Sequence, residues 1–411
     1  MAKAAQSSIF QHEAAPGAML LLAACLSMGL ANSPAAPGFA ALLATPLGFA
    51  GLGFDLIEPL AFWIKDGLMA VFFFYVGLEL KREFVDGELR NLRAAALPLA
   101  GALGGMLAPA AIFVALNHGS SETLRGWGIP MATDIAFALG VLSLLSKRVP
   151  PALKAFLLAL AIIDDLGAIV VIAVFYGHGL QPVACGCALA LFLAALAMNR
   201  LGLVKIWPYA VLALPLWIAM HFSGVHASVA GVALAFTIPY RIPASIGLAE
   251  PPLLKLEHGL REWVMFAIMP IFALANAGVT LAGIGPGDLL EPLTAGVALG
   301  LLLGKPLGIV LAAGLAARLL RTPMPGSLTA MGGLGLIAGI GFTMSLFVGA
   351  LAFSAPHHLA QMRLGVYGGS ILAALGGLFV LRLSLRPGKF TDAATRAPVE
   401  PFLVEDEVEK P

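Results

Sequence analysis

The sequence predicts an all-α integral membrane protein, and three observations carry that prediction. Charged residues make up only 11% of the 411 positions while 60% are hydrophobic, whereas a soluble domain carries about 25% charged residues to cover its surface. Apolar runs last about 20 residues, long enough to cross a bilayer as a helix, and lack the two-residue alternation of a membrane barrel. Basic residues, finally, segregate between alternate loops. A soluble enzyme, a disordered chain and a nucleic-acid binder are excluded. Glycine (47) and proline (28) are both frequent, which suits transmembrane helices better than soluble ones.

Uncharged stretches between Gly, Pro and polar breaks mark twelve spans, at 17–31, 60–79, 94–116, 127–145, 152–176, 182–199, 206–221, 224–239, 262–281, 293–316, 328–351 and 364–383. An even number places both termini on one side. With the N-terminus in the cytoplasm, the inner segments hold 20 of the 24 Lys and Arg residues, from Lys3 through Lys81 and Arg82 to Arg386 and Lys410. The outer segments hold Lys65, Arg125 and Arg363, and Lys305 lies inside a span. This bias follows the positive-inside rule; a wrong span count would scramble it.

Residues 17–31 read as a first span rather than a cleaved leader, because the segment before them is weakly basic, with Lys3 offset by Glu13. Residues 45–58 form the longer external connection and suit a small hairpin. Residues 1–386 make one twelve-helix domain. The stretch 387–411, with Glu400, Glu405, Asp406, Glu407 and Glu409, is expected to be a disordered polar tail in the cytoplasm. Cys25, Cys185 and Cys187 have no structural-zinc spacing and imply no disulfide framework.

An ionisable group at mid-bilayer costs several kcal/mol, so it stays only where it faces a cavity, pairs with another group, or works. Five such residues stand out: Asp134, Asp164, Asp165, Lys305 and Glu79. Asp164 and Asp165 lie near the middle of their helix, about 100° apart around its axis, so they share a cavity edge without aiming at one point. Two close carboxylates repel, which suits a site that holds either a cation or protons. Asp134 follows Pro130, which invites a helix break, and Thr133 supplies a hydroxyl to the freed backbone groups. Gly335 to Ser345, through Gly339, Gly341 and Thr343, marks a second break. Two interrupted helices, one in each half, point to a transporter's binding site; close glycine packing competes for the second. Lys305 is far from a helix end and keeps its charge beside Asp164 or Asp134. Glu79 sits beside Lys81 and Arg82, as the mouth of a cation funnel or as an interfacial salt bridge. His226 opens a span, as a pH-responsive group or a packing histidine.

These segments resemble the bacterial NhaA family of sodium/proton antiporters, over nearly the whole chain from Leu30 to about Arg386. The most specific pieces are Val76-Gly77-Leu78-Glu79-Leu80-Lys81-Arg82-Glu83, Ala132-Thr133-Asp134-Ile135-Ala136-Phe137 and Ile162-Ile163-Asp164-Asp165-Leu166-Gly167. To these add Ser223-Gly224-Val225-His226-Ala227, Ala275-Asn276-Ala277-Gly278-Val279, Gly304-Lys305-Pro306-Leu307-Gly308 and Gly339-Ile340-Gly341-Phe342-Thr343-Met344-Ser345. The resemblance implies inverted three-helix repeats, with the helices of Thr133 and Thr343 crossing as broken segments. It implies that Asp164 and Asp165 bind Na⁺ or Li⁺ and carry the protons, with Lys305 near the first of the pair and Asp134 at the crossing. It further implies an inner-membrane, electrogenic exchange of two protons inward for one sodium outward, serving pH and sodium homeostasis without a cofactor. Homodimers through the external hairpin are expected. The family's pH-sensing stretch matches Glu257, His258 and Trp263, but its usual His-Pro pair is Arg261-Glu262 here.

Two other functions compete. A sodium-coupled symporter of an organic substrate calls for aromatic or Arg recognition groups in a roomy cavity, and no Arg lies mid-span. An intramembrane aspartyl protease needs two carboxylates converging on one bond, whereas Asp164 and Asp165 diverge. A dyad of Asp134 and Asp165 would be opposed by the charge of Lys305. The expected protein is a secondary transporter and not an enzyme.

Overall fold

In a computed structural model, residues 14–51, 54–145, 148–177, 179–241 and 250–385 are described. The tail expected from residue 387 lies outside the described residues. Helix α1 (Ala15–Ala31) is followed by a short helix, Ala36–Leu43, bent 113° away from it. Strands β1 (Pro46–Gly51) and β2 (Phe54–Pro59) then pair antiparallel, with Pro46 opposite Pro59. Trp63 Nε1 donates to the carbonyl of Leu47 at 2.9 Å, which ties the hairpin to the start of the next helix.

That helix is α2 (Leu60–Asp86), followed by α3 (Leu92–Asn117), α4 (Ile135–Ser143), α5 (Pro151–Phe175), α6 (Pro182–Arg200), α7 (Trp207–Ser223) and α8 (Val229–Thr237). The second half contains α9 (Pro252–Trp263), α10 (Met269–Asn276), α11 (Pro292–Leu320), α12 (Leu328–Ala338), α13 (Phe342–Ala352) and α14 (Pro356–Ser384). Among the described residues, six helices are long and apolar enough to cross a membrane, and bent helix pairs raise that number to as many as nine.

Several boundaries differ from expectation: the span expected at 364–383 begins at Pro356, which takes Arg363 from the expected outer segment into the helix, and that expected at 60–79 runs on to Asp86. The span expected at 262–281 begins as helix α9 at Pro252, because Leu253, Leu256 and Leu260 keep helical spacing through a charged stretch. It stops at Asn276, after which residues 277–281 have no regular secondary structure. His226, expected at the opening of a span, lies in the turn between α7 and α8. Gly224, at φ 85°, ends α7 in the left-handed conformation that glycine adopts without strain.

Helices α2 and α6 to α9 pack with one another, and α3, α4, α5 and α11 to α14 form a second group; the pair α1 and α10 lies between them, with α1 against α4 and α10 against both α2 and α13. Within the second group, α3 and α11 meet backbone to backbone. A methyl group on Gly308 would lie 2.0 Å from the carbonyl oxygen of Gly104, and one on Gly304 would lie 2.6 Å from Cα of Pro109. Small residues four apart allow this approach, as in close membrane helix pairs. Between the groups, the ring of Phe347 sits among Phe73, Phe272 and His226, with centroids 5.4, 5.9 and 5.8 Å away.

Candidate ion site at the crossing of two broken helices

The two interruptions found in the sequence meet in space. A tight helical turn at Arg125–Met131 leads into extended residues 132–134 and then α4, with a 45° bend; α12 and α13 are bent 50° across Gly339–Gly341. The segments touch directly, since the amide of Asp134 donates to the carbonyl of Ile340 at 2.7 Å. A helix broken at membrane depth leaves unpaired N–H and C=O groups that must find partners in the protein.

Asp134 supplies partners for two of the freed helix ends. Its Oδ1 accepts from the amide of Phe137 at 2.9 Å, capping α4, and its Oδ2 accepts from the amide of Thr343 at 3.1 Å and from the Thr343 hydroxyl, capping the first turn of α13. One carboxylate therefore faces the positive ends of two helix dipoles. Ser370 Oγ accepts from the amides of Gly341 and Phe342, each at 3.3 Å, and Ser345 Oγ donates to the carbonyl of Ile129 at 2.8 Å.

Beside the crossing, Lys305 Nζ donates to Asp164 Oδ2 and to Thr133 Oγ1. Thr133 Oγ1 lies 2.7 Å from Asp164 Oδ2 and 2.8 Å from the carbonyl of Ala338, and its single proton serves one of these at a time. A wide five-residue turn, Gly300–Gly304, immediately precedes Lys305 on α11. Such turns add a residue to the helix and re-aim the side chains that follow. Lys305 is 0%, Asp164 1% and Asp165 2% exposed. Oδ1 of Asp164 and Oδ1 of Asp165 are buried without a hydrogen-bond partner. Unpaired carboxylate oxygens at this depth are costly; a cation or a proton relieves that cost.

The structure therefore brings together Thr133, Asp134, Asp164, Asp165, Lys305 and Thr343 and separates them from the other candidates. Glu79, near the inner end of α2, lies 4.0 Å from Arg82 Nη2. Arg82 Nε donates to both oxygens of Glu257, at 3.1 and 3.0 Å, and its Nη1 donates to Glu83 at 2.6 Å. Glu257 is thus turned inward onto Arg82, while His258, one residue on, is exposed and 2.7 Å from Glu250 Oε1. His226 stands in a cavity of about 460 Å³ with Lys65, Asp66 and His221, its Nε2 3.2 Å from Asp66 Oδ1 and its Nδ1 2.7 Å from Ser228 Oγ. Sequence reasoning missed Asp66 and Ser370, and named Ser345 only as the end of the second break. Asp66 had a signal, an acid within an apolar run next to Lys65; Ser370 had none.

The sequence that builds this crossing has relatives among known proteins. The family model described as Na⁺/H⁺ antiporter 1 matches residues 7–381. The chain belongs to this Na⁺/H⁺ antiporter family. The chain is similar to the Na(+)/H(+) antiporter NhaA of Rhodospirillum rubrum, 50% identical over 388 residues, which cover 92% of this chain and 97% of the relative. The NhaA protein of Caulobacter vibrioides is 49% identical over 381 residues, with 92% and 90% covered, and that of Bordetella parapertussis 48% over 380, with 92% and 96%. As a member of an antiporter family with apolar helices of membrane length, the chain is a multi-pass membrane protein that transports ions.

Proposed function

We propose that this protein expels cytoplasmic Na⁺, or Li⁺, in exchange for two protons per ion, by competition at Asp164 and Asp165 with alternating access. The observation that carries the reading is the pair of unpartnered carboxylate oxygens of Asp164 and Asp165 beside the Asp164–Lys305 ion pair. With the site facing inward, Na⁺ takes the deprotonated carboxylates and Asp164 releases Lys305. With the site facing outward, protons displace the ion and Lys305 returns to Asp164. Cation and proton exclude each other at the same oxygens, so coupling needs no separate gate. Thr133 and Thr343 hold the two broken helices at the crossing, and Asp134 balances their freed ends. Glu79, Glu257, His258 and His226 stand on the approaches rather than at the ion.

Two protons in against one Na⁺ out moves one net positive charge inward per cycle. A membrane potential of 100 mV, negative inside, then drives each turnover by about 2.3 kcal/mol. No cofactor takes part. The same reading places twelve spans in a bacterial inner membrane with both termini and the 387–411 tail in the cytoplasm, as inverted repeats of three helices. It assigns the protein a role in pH and sodium homeostasis and joins two copies through the hairpin formed by β1 and β2.

The test is transport in everted vesicles carrying an acid-inside pH gradient, followed with a quenched pH dye. Addition of Na⁺ or Li⁺, but not K⁺, is expected to dequench the dye, and Asp165→Asn is expected to abolish the response. Folded protein that responds to no cation between pH 6.5 and 8.5 refutes the exchange.

A further inference from the structure

The second break is held from the side by α14. This helix comes in close because Gly365, Gly369, Ala373 and Gly377 fall four apart along one face. A methyl group on Gly365 would lie 2.6 Å from the carbonyl oxygen of Thr294 on α11, and one on Gly377 would lie 3.1 Å from that of Gly333 on α12. At that separation a side chain as short as serine spans the gap. Ser370, 5% exposed, accepts from the amides of Gly341 and Phe342. The Gly341 amide belongs to the same peptide unit as the Ile340 carbonyl, and that carbonyl accepts from the amide of Asp134 in the first break. One rigid plane is therefore gripped at both ends, by Ser370 at its N–H and by Asp134 at its C=O. Held by Asp134 alone it turns over at little cost, because glycine at 341 admits the backbone angles of either orientation.

We propose that Ser370 is a positioning residue of the ion site, fixing the plane of the Ile340–Gly341 peptide and through it the seat of Thr133, Asp134 and Asp164. The inference rests on the competition reading above, which places the ion at Asp164 and Asp165. Contacts run unbroken from the serine to the carboxylate. The Ile340 carbonyl seats the Asp134 amide, and two residues back the Ala338 carbonyl lies 2.8 Å from Thr133 Oγ1, itself 2.7 Å from Asp164 Oδ2. Ser370 also completes the cap of α13: its hydroxyl takes the amides of Gly341 and Phe342, and Asp134 takes that of Thr343. Its place is matched in the first half of the chain. Asp164 stands on the long helix after the first break, 31 residues from the Thr133 it meets, and Ser370 on the long helix after the second, 29 residues from Gly341. One half meets its break with a charge and the other with a neutral hydroxyl, so α14 steadies the crossing without adding a further anion to compete for the cation.

Two measurements on the full chain test it. The first is amide exchange of the protein in detergent, read by mass spectrometry. In Ser370→Ala, exchange is expected to quicken at Gly341 and Phe342, as for any lost cap, and also roughly tenfold at Asp134, on the other broken segment. The second is Na⁺-driven dequenching. The apparent KM for Na⁺ is expected to rise about three- to tenfold, the scale of one lost hydrogen bond, with the maximal rate within about twofold of the parent. Ser370→Cys, which keeps the size but accepts more weakly, is expected to fall between, and it carries the comparison if the Ala variant does not fold. Thr294→Val removes another buried hydroxyl's bond to α14, at the carbonyl of Gln361, and is expected to match the parent in both measurements. Exchange that quickens at Gly341 and Phe342 but not at Asp134 overturns the proposal. So does an unchanged KM, or an equal rise in Thr294→Val, which would mean general loosening. Failure of the antiport reading is separate: the unaltered chain would then give no Na⁺-driven dequenching, while exchange at Asp134 would still respond to Ser370→Ala.

Discussion

Asp134→Ala tests whether one carboxylate holds the crossing together. The substitution strips acceptors from the amides of Phe137 and Thr343 and from the Thr343 hydroxyl, in a place where Asp134 is 0% exposed. The hydroxyl rotates and finds another acceptor; the two amides cannot. A buried donor left without a partner costs about 1–3 kcal/mol, so two cost about 2–6 kcal/mol. Water entering the space left by the carboxylate brings the figure to the lower half of that range. Asp134→Asn keeps one acceptor oxygen at the same reach, removes the charge, and turns an NH₂ toward donors, for a cost of roughly 1–2 kcal/mol. Thermal unfolding of the purified protein in detergent is therefore expected to rank parent, Asn and Ala in that order. The Ala variant should melt roughly 5 °C or more below the parent. Na⁺-dependent dequenching should fall in the same order. Equal melting of parent and Ala, or an Asn variant no better than Ala, would refute the double cap.

The other expectations follow from the same geometry. Asp165→Asn removes a buried oxygen that has no partner and relieves repulsion with Asp164, so transport is lost while the melting temperature stays level or rises; a large drop in melting would mean Asp165 is structural. If protons and Na⁺ compete at the carboxylates, the apparent KM for Na⁺ rises as the pH falls. The rise is about tenfold per pH unit where one proton is displaced and about a hundredfold where two are. A KM independent of pH, with only the maximal rate changing, excludes competition. Arg82→Gln leaves Glu257 and Glu83 without their bidentate and 2.6 Å partners. The expected result is a shifted pH profile of transport with the Na⁺ KM at the optimum changed less than about threefold, because Arg82 does not contact the crossing.

Much of the site was legible because charge inside an apolar run has few explanations. Asp164, Asp165, Asp134 and Lys305 declared themselves by position alone, and Pro130 with the glycines at 339 and 341 marked where two helices stop. The partners were less legible. Glu257 and His258 are neighbours in the chain, yet a 100° step around α9 sends one inward to Arg82 and the other outward to Glu250. The early start of α9 was hidden because a span was read from missing charge, whereas this helix leads in with Lys255, Glu257, Arg261 and Glu262. The wide turn before Lys305 has no local signature, since Gly and Leu in that order equally suit an ordinary helix. The meeting of Phe347 with Phe73 and Phe272 depends on three helices that only the folded chain brings together.

The contact between Gly308 and Gly104 bears on how α11 can move. Where two helices meet through side chains, they slide by resetting rotamers, in small steps with low barriers. Where main chain rests on main chain, no rotamer is left to reset, and one helix cannot ratchet past the other without lifting off it. Lys305 stands three residues from that contact on α11. Any displacement of the α11 backbone at Lys305 therefore carries α3 as cargo, and what remains to the lysine by itself is a turn of its own side chain.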